Sequence, residues 1–153
     1  MSSGVGLNNG SPIKLERFIT AQEKVYGDVL TELKNGRKQT HWMWFIFPQL
    51  DGLGFSPTAK FYAIRSLEEA RQFLNHPLLG ARLLECTALV LGWKDRTAAE
   101  IFPYPDDLKL RSCMTLFSTA ANPGSAFELV LERFYEGKRD ARTLELLGDS
   151  VSE

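Results

Sequence analysis

Signals that begin α-helices recur along this chain and limit the folds that it can adopt. In each signal a Ser or Thr precedes a proline, or is followed by Glu three residues later, and both patterns are typical of helix N-termini. The signals are Ser11-Pro12, Ser56-Pro57, Ser66 with Glu69, Thr97 with Glu100 and Ser125 with Glu128. No segment shows the clear alternation of apolar and polar residues that indicates a β-strand. The sequence therefore predicts an all-α protein.

Apolar residues spaced three and four apart extend the helices that these signals begin. One buried face runs from Leu15 to Leu33 and ends at Asn35-Gly36, which favours a single long helix there. Later helices are predicted after Pro105, from Ala126 to Glu136 and from Asp140 to Leu147. We expect a compact multihelical domain of about six to eight helices.

The length of 153 residues predicts one domain, because chains of this size commonly have a single hydrophobic core. We assign residues 12–148 to this domain. Residues 1–11 are rich in Ser, Gly and Asn and are predicted to be a flexible leader, and residues 149–153 a flexible tail.

Charge and composition argue against several classes of function. With 18 basic and 19 acidic residues, the chain has no excess of positive charge for a nucleic-acid backbone. No apolar run approaches the roughly 20 residues of a membrane-spanning helix. The two cysteines are expected to be buried thiols in a reducing cytoplasm. Glycine-rich phosphate loops and zinc-binding spacings are absent from the sequence, so we predict no metal and no cofactor.

The segment His41–Gly54, HWMWFIFPQLDGLG, is the first candidate for a functional site. Its short apolar run does not distinguish a buried strand from a buried helix, and we favour a short helix or turn. Trp42 and Trp44 are candidates to stack on a flat ligand, with Gln49 as donor and acceptor and His41 as acid or base. Alternatively, the aromatic residues form the core and His41 caps a carbonyl group.

The second candidate is Asp107–Ser118, DLKLRSCMTLFS. On a helix, Asp107, Arg111, Thr115 and Ser118 share one face, opposite the apolar residues. Such a face can grip a polar ligand, or it can be the solvated side of an amphipathic helix. The candidate residues are Asp107 as a catalytic group and, as ligand-binding residues, Lys109, Arg111, Ser112 and Thr115.

These two segments carry a resemblance to the bacterial domain of unknown function 1810 family. The matching stretches are His41–Ile64 and Phe102–Phe117, within a likeness that extends from about Leu15 to Gly148. The resemblance implies a compact, mostly helical, cytoplasmic bacterial protein and supplies no activity. Relatives usually have two serines before the methionine, whereas this chain has Ser112-Cys113, so an essential hydroxyl at position 113 is in doubt. The calpastatin label sometimes given to the family does not suit a chain that is 11% aromatic, since that inhibitor is disordered.

Two functions follow from this sequence. In the first, the segments His41–Gly54 and Asp107–Ser118 meet to bind a small anionic ligand, such as a nucleotide or an ADP-ribose-like molecule, with or without catalysis. In the second, the aromatic segment docks onto a protein partner and the chain has no catalytic activity; an exposed Trp42 or Phe55 would favour this alternative.

Overall fold

The computed structural model describes residues 15–151, which form ten helices and no strand. The helices are α1 (Glu16–Glu23), α2 (Tyr26–Lys34), α3 (Met43–Ile46), α4 (Pro57–Phe61), α5 (Leu67–Asn75), α6 (Leu79–Leu91), α7 (Ala98–Ile101), α8 (Asp106–Ala120), α9 (Ala126–Tyr135) and α10 (Ala141–Val151). The all-α prediction is confirmed, but the expected six to eight helices are too few, in part because α3 and α7 have only four residues each. The predicted leader, residues 1–11, lies outside the described residues.

The first predicted helix is divided in two. At the junction, Val25 has a non-helical φ of -126° and its N–H bonds to the Gln22 carbonyl, only three residues back. The two halves have different neighbours, since α1 packs against α3 and α2 packs against α6. The break lets each half turn its apolar face toward its own partner. The predicted start at Ser11-Pro12 lies outside the described residues.

The core is built around α8, which packs against α5, α7, α9 and α10. All its residues from Ser112 to Ser118 are buried, including three with hydroxyl groups. The part of α8 from Ser112 to Ser118 is therefore at the centre of the fold, whereas its first turn reaches the surface at Leu108. No helix in the described part of the chain is long and apolar enough to cross a membrane.

A buried carboxylate at the end of α2 organises the turn that leads to α3. The Glu32 side chain is 8% exposed and accepts four hydrogen bonds. The donors are the backbone N–H groups of Gln39 and Thr40, the Thr40 hydroxyl and the Trp42 indole N–H, at 2.6–3.1 Å. Burial alone raises the pKa of this carboxyl group, but the hydrogen bonds outweigh burial and lower it.

The predicted caps at Ser56, Ser66, Thr97 and Ser125 are present, with a change in two of the three capping boxes. Thr97 and Glu100 form the complete box at α7. At α5, Ser66 accepts from the Glu69 N–H, but the Glu69 carboxylate binds the N–H of Arg65 instead of that of Ser66. At α9, the Glu128 carboxylate likewise binds the N–H of Gly124 instead of that of Ser125. The last helix also differs from the prediction, because it continues through Gly148 to Val151.

Replacing Glu32 with Gln is expected to destabilise the fold by roughly 2–4 kcal/mol at neutral pH. The amide keeps one acceptor oxygen but points an N–H₂ group at donors. Because the pKa of Glu32 is lowered in the folded state, its contribution is present above the ordinary value of 4.5 and is lost as the pH falls below it. Urea unfolding between pH 3 and pH 7 (roughly the range in which Glu titrates) measures both effects.

Glu132→Gln is the matched control, since Glu132 is an exposed residue of α9. It should unfold like the wild type across the same pH range. An equal loss of stability in the two variants would show that the Glu32 hydrogen bonds do not hold the turn.

Gly80 sets the close packing between α5 and α6. A Cβ atom at this position would lie 1.9 Å from the backbone carbonyl oxygen of Leu74, which cannot move without shifting the end of α5. Gly80→Ala is therefore expected to lower the free energy of unfolding by about 1–3 kcal/mol.

Gly27→Ala is the paired variant, because a Cβ at Gly27 in α2 would meet no atom within 4 Å. It should raise the free energy of unfolding by about 0.5–1 kcal/mol through better helix propensity. Thermal unfolding followed by circular dichroism compares the two, and the same sign of change in both would contradict the close-packing argument.

Candidate functional site

A surface groove of about 280 Å³ lies between the beginning of α8 and the segment that follows α3. Its lining residues are Trp44, Gln49, Leu53, Gly54, Pro105, Leu108, Lys109 and Ser112. Four of the nine candidate residues from the sequence, Trp44, Gln49, Lys109 and Ser112, therefore come together here. The two segments singled out in the sequence supply the opposite walls.

Lys109 is the charged residue among these lining residues, and three contacts determine the net charge around its ammonium group. Its ammonium group lies 4.0 Å from the centre of the Trp44 ring, a cation–π contact. It also lies 3.4 Å from one carboxylate oxygen of Asp106. The other oxygen of Asp106 lies 2.7 Å from the ammonium group of Lys38, which is 8% exposed. Asp106 is thus shared by two lysines, and this wall has one net positive charge.

Polar groups without partners also line the groove. The side-chain amide of Gln49 and the indole N–H of Trp44 make no hydrogen bond to any of residues 15–151. The Ser112 hydroxyl donates to the Leu108 carbonyl at 3.2 Å and keeps acceptor capacity on its oxygen. The groove therefore offers one cationic donor, one indole N–H, one amide and one hydroxyl oxygen.

The loop wall is held by backbone contacts. The Gln49 carbonyl accepts from the Ile64 N–H at 2.8 Å, and the Ile64 carbonyl accepts from the Asp51 N–H at 2.7 Å. A Cβ atom at Gly54 would lie 2.6 Å from the Ala59 Cβ and 3.5 Å from the Trp44 ring. Only glycine lets the loop lie this close to α4 and the indole.

Two candidates from the aromatic segment do not line the groove. Trp42 is 1% exposed, donates its indole N–H to Glu32 and packs against Phe47 and Phe102. His41, directly before it, is exposed. The short apolar run thus supplies one tryptophan to the core and one to the groove, because Trp44 is only half-buried.

Asp107, Arg111 and Thr115 lie on a different side of α8, against α9 and the turn before α10. The Tyr135 hydroxyl donates to the Asp107 carbonyl at 2.6 Å, and Arg111 donates to the Arg139 carbonyl at 3.4 Å. Oδ1 of Asp107 and Nε of Arg111 are buried without a hydrogen-bond partner among the described residues. Burial, and then the neighbouring charge of Asp107, raises the pKa of Tyr135.

The hydroxyl of Thr115 has a structural partner. It donates to the Arg111 carbonyl at 2.8 Å and accepts from the Asp140 N–H at 2.9 Å. Asp140 in turn caps α10, since its carboxylate accepts from the N–H and the hydroxyl of Thr143. This side of α8 is therefore partly buried against α9 and the turn before α10, and it does not line the groove.

Helical spacing could have identified the α8 wall of the groove. Pro105, Leu108, Lys109 and Ser112 are separated by three, one and three residues, so they share one face. The sequence interpretation followed the neighbouring face that contains Asp107 and Thr115. The candidate segment His41–Gly54 includes Leu53 and Gly54, but neither was singled out, because loop residues that line a groove have no characteristic spacing.

Cys113 is completely buried and does not line the groove. Burial raises the pKa of its thiol well above the ordinary range, and that of Cys86 to about 12. Neither thiol is therefore ionised at neutral pH.

The comparisons with known proteins give a family and no activity. The model of DUF1810, described as a protein of unknown function, matches residues 12–147. The chain belongs to the DUF1810 family. The crystal structure of the conserved hypothetical protein Rv1873 from Mycobacterium tuberculosis is similar to this DUF1810 chain at 53% identity and a TM-score of 0.88, over 90% of this chain and 99% of that one. None of the curated proteins matches. The family resemblance expected from the sequence is thus confirmed.

Thr115→Val is expected to lower the free energy of unfolding by about 1–3 kcal/mol, because the Asp140 N–H loses its acceptor at the start of α10. Urea unfolding followed by circular dichroism measures the change. Thr119→Val is the control, since this exposed hydroxyl only donates to a carbonyl of its own helix. It should change stability by less than about 0.5 kcal/mol. Equal losses would contradict the anchoring role of Thr115.

Proposed function

We propose that this protein binds a small anionic ligand with a planar ring in the groove between α3 and α8. One observation carries the proposal: an aromatic ring, a lysine, an unbonded amide and a hydroxyl line the same groove. Lys109 pairs with the anionic group, while Gln49 and Ser112 orient it. The Trp44 ring and the apolar side chains beside it contact the ring of the ligand.

The volume of the groove limits the size of the ligand. The sequence predicts a nucleotide or an ADP-ribose-like molecule. Ligand pockets usually measure roughly 300–1,000 Å³, and this groove, at about 280 Å³, lies just below that range. We therefore propose a ligand no larger than a mononucleotide, with the ring and the acidic group close together.

The proposal concerns binding and assigns no reaction. His41 and Asp107 were the predicted catalytic residues, but neither lines the groove. A catalytic group has to reach the reacting atoms within hydrogen-bond distance or through one water molecule. We further propose a cytoplasmic location, which the buried free thiols of Cys86 and Cys113 support.

The test is titration of ¹⁵N-labelled protein with AMP, adenosine, ADP-ribose and benzoate. The indole signals of Trp42 and Trp93 come from N–H groups that donate to protein oxygens, so the unbonded indole N–H of Trp44 should show the largest shift. Lys109→Ala should weaken binding by at least about tenfold, as expected when a charge-assisted contact is lost.

Lys94→Ala removes an exposed lysine away from the groove and serves as the control. His41→Ala should also bind like the wild type. A panel that leaves the Trp44 signal unmoved, or a Lys109→Ala variant with full affinity, would count against the ligand site.

Exposed aromatic residues beside the groove favour the second candidate function, docking of a protein partner. Phe55 is 79% exposed and Tyr104 is 76% exposed, and each follows or precedes a lining residue. Large exposed aromatic side chains are often part of contact surfaces. Phe55→Ser with Tyr104→Ser should remove a specific binding partner from a pull-down, whereas Phe61→Ser, at an exposed residue that does not line the groove, should not.

A further inference from the structure

The charge of the groove sets a limit on the charge of its ligand. Lys109 is the charged side chain of the lining, and its ammonium group already shares the Asp106 carboxylate with Lys38. Two positive charges and one negative charge leave one net positive charge. A singly charged anion neutralises this wall, whereas a doubly charged anion adds a second negative charge next to Asp106.

The partial burial of these charged side chains increases the difference in binding between a singly and a doubly charged anion. The side chains of Lys38, Asp106 and Lys109 are 8%, 17% and 23% exposed, so water screens their interactions only in part. Electrostatic interactions are stronger where water is partly excluded. The repulsion between Asp106 and a second anionic charge is then not offset by another cation, because no further charged residue lines the groove.

Two side chains on opposite walls of the groove, Lys109 and Gln49, can donate to the two oxygens of a carboxylate. An ammonium group has three N–H donors, and that of Lys109 has contacts with Asp106 and with the Trp44 ring. The Gln49 amide provides N–H donors from the opposite wall. A carboxylate has two oxygens to accept from these two side chains, whereas the additional oxygen of a phosphate ester has no cation to face.

We propose that this groove selects a singly charged aromatic carboxylate over an aromatic phosphate ester. This inference rests on the proposed function and narrows its ligand class. The carboxylate binds Lys109 and Gln49, and the ring lies against Leu53, Pro105 and Leu108. The sequence-based hypothesis was a nucleotide-like ligand. Under the present proposal, the phosphate group is the part of such a ligand that the groove does not match.

The test compares benzoate, benzamide and phenyl phosphate, which share a phenyl ring and differ in charge. Dissociation constants are measured at pH 7.5 from the Trp44 indole signal of ¹⁵N-labelled protein. Benzoate should bind at least about tenfold more tightly than phenyl phosphate, which is mostly doubly charged at that pH. Benzamide should also bind more weakly, since a neutral ligand leaves the net positive charge of the wall without an anion.

The possible outcomes distinguish a failure of this inference from a failure of the proposed function. Phenyl phosphate or AMP binding as tightly as benzoate would overturn the charge selection and leave the anionic site standing. Equal binding of benzamide would overturn the carboxylate contact with Lys109. No shift of the Trp44 signal with any probe, nucleotides included, would overturn both.

A charge variant tests the same physical cause from the protein side. Gln49→Lys adds a second cation to the groove, and the Gln49 side chain can be replaced because it makes no hydrogen bond to the described residues. The ratio of benzoate to phenyl phosphate affinity should shift toward phenyl phosphate by about tenfold. Gln72→Lys adds the same charge at an exposed position of α5 that does not line the groove, and it should not shift the ratio. An unchanged ratio in a folded Gln49→Lys protein would overturn the inference.

Discussion

The buried carboxylate of Glu32 is the interaction on which the arrangement of this protein depends. In the turn between α2 and α3, four donors from Gln39, Thr40 and Trp42 converge on this one side chain. Fixing the Trp42 indole also fixes its contacts with Phe47 and Phe102. A buried carboxylate is stable only when its oxygens are hydrogen-bonded, so the charge and the turn stabilise each other.

The same turn contacts the charged residues of the candidate groove. Lys38 donates its backbone N–H to the Ile101 carbonyl and pairs its ammonium group with Asp106 at the first turn of α8. Asp106 then holds Lys109 beside the Trp44 ring. A chain of contacts therefore leads from the core to the groove, and each step fixes the position of the next side chain. The result is a cation held in a fixed position, and a fixed side chain loses less conformational entropy in a contact with the proposed ligand.

Helix α8 shows that a polar side chain on a helix can have different roles on different faces. Lys109 and Ser112 face the groove, whereas Thr115 joins α8 to the start of α10 through Asp140. Hydroxyl groups buried in a helix can bond to carbonyls of the preceding turn, so they need no solvent. Their presence alone does not distinguish a ligand site from a helix–helix contact.

Local residue patterns determined much of this structure without tertiary information. The caps at Ser56, Ser66, Thr97 and Ser125, the short helix at Met43–Ile46 and the loop after it could be predicted from the sequence, because caps and turns depend on neighbouring residues. Tertiary structure decided the break before α2, the separate roles of Trp42 and Trp44, and the face of α8 that meets the loop. These depend on which helix packs against which, and that is set by contacts between residues far apart in the sequence, where spacing carries no information.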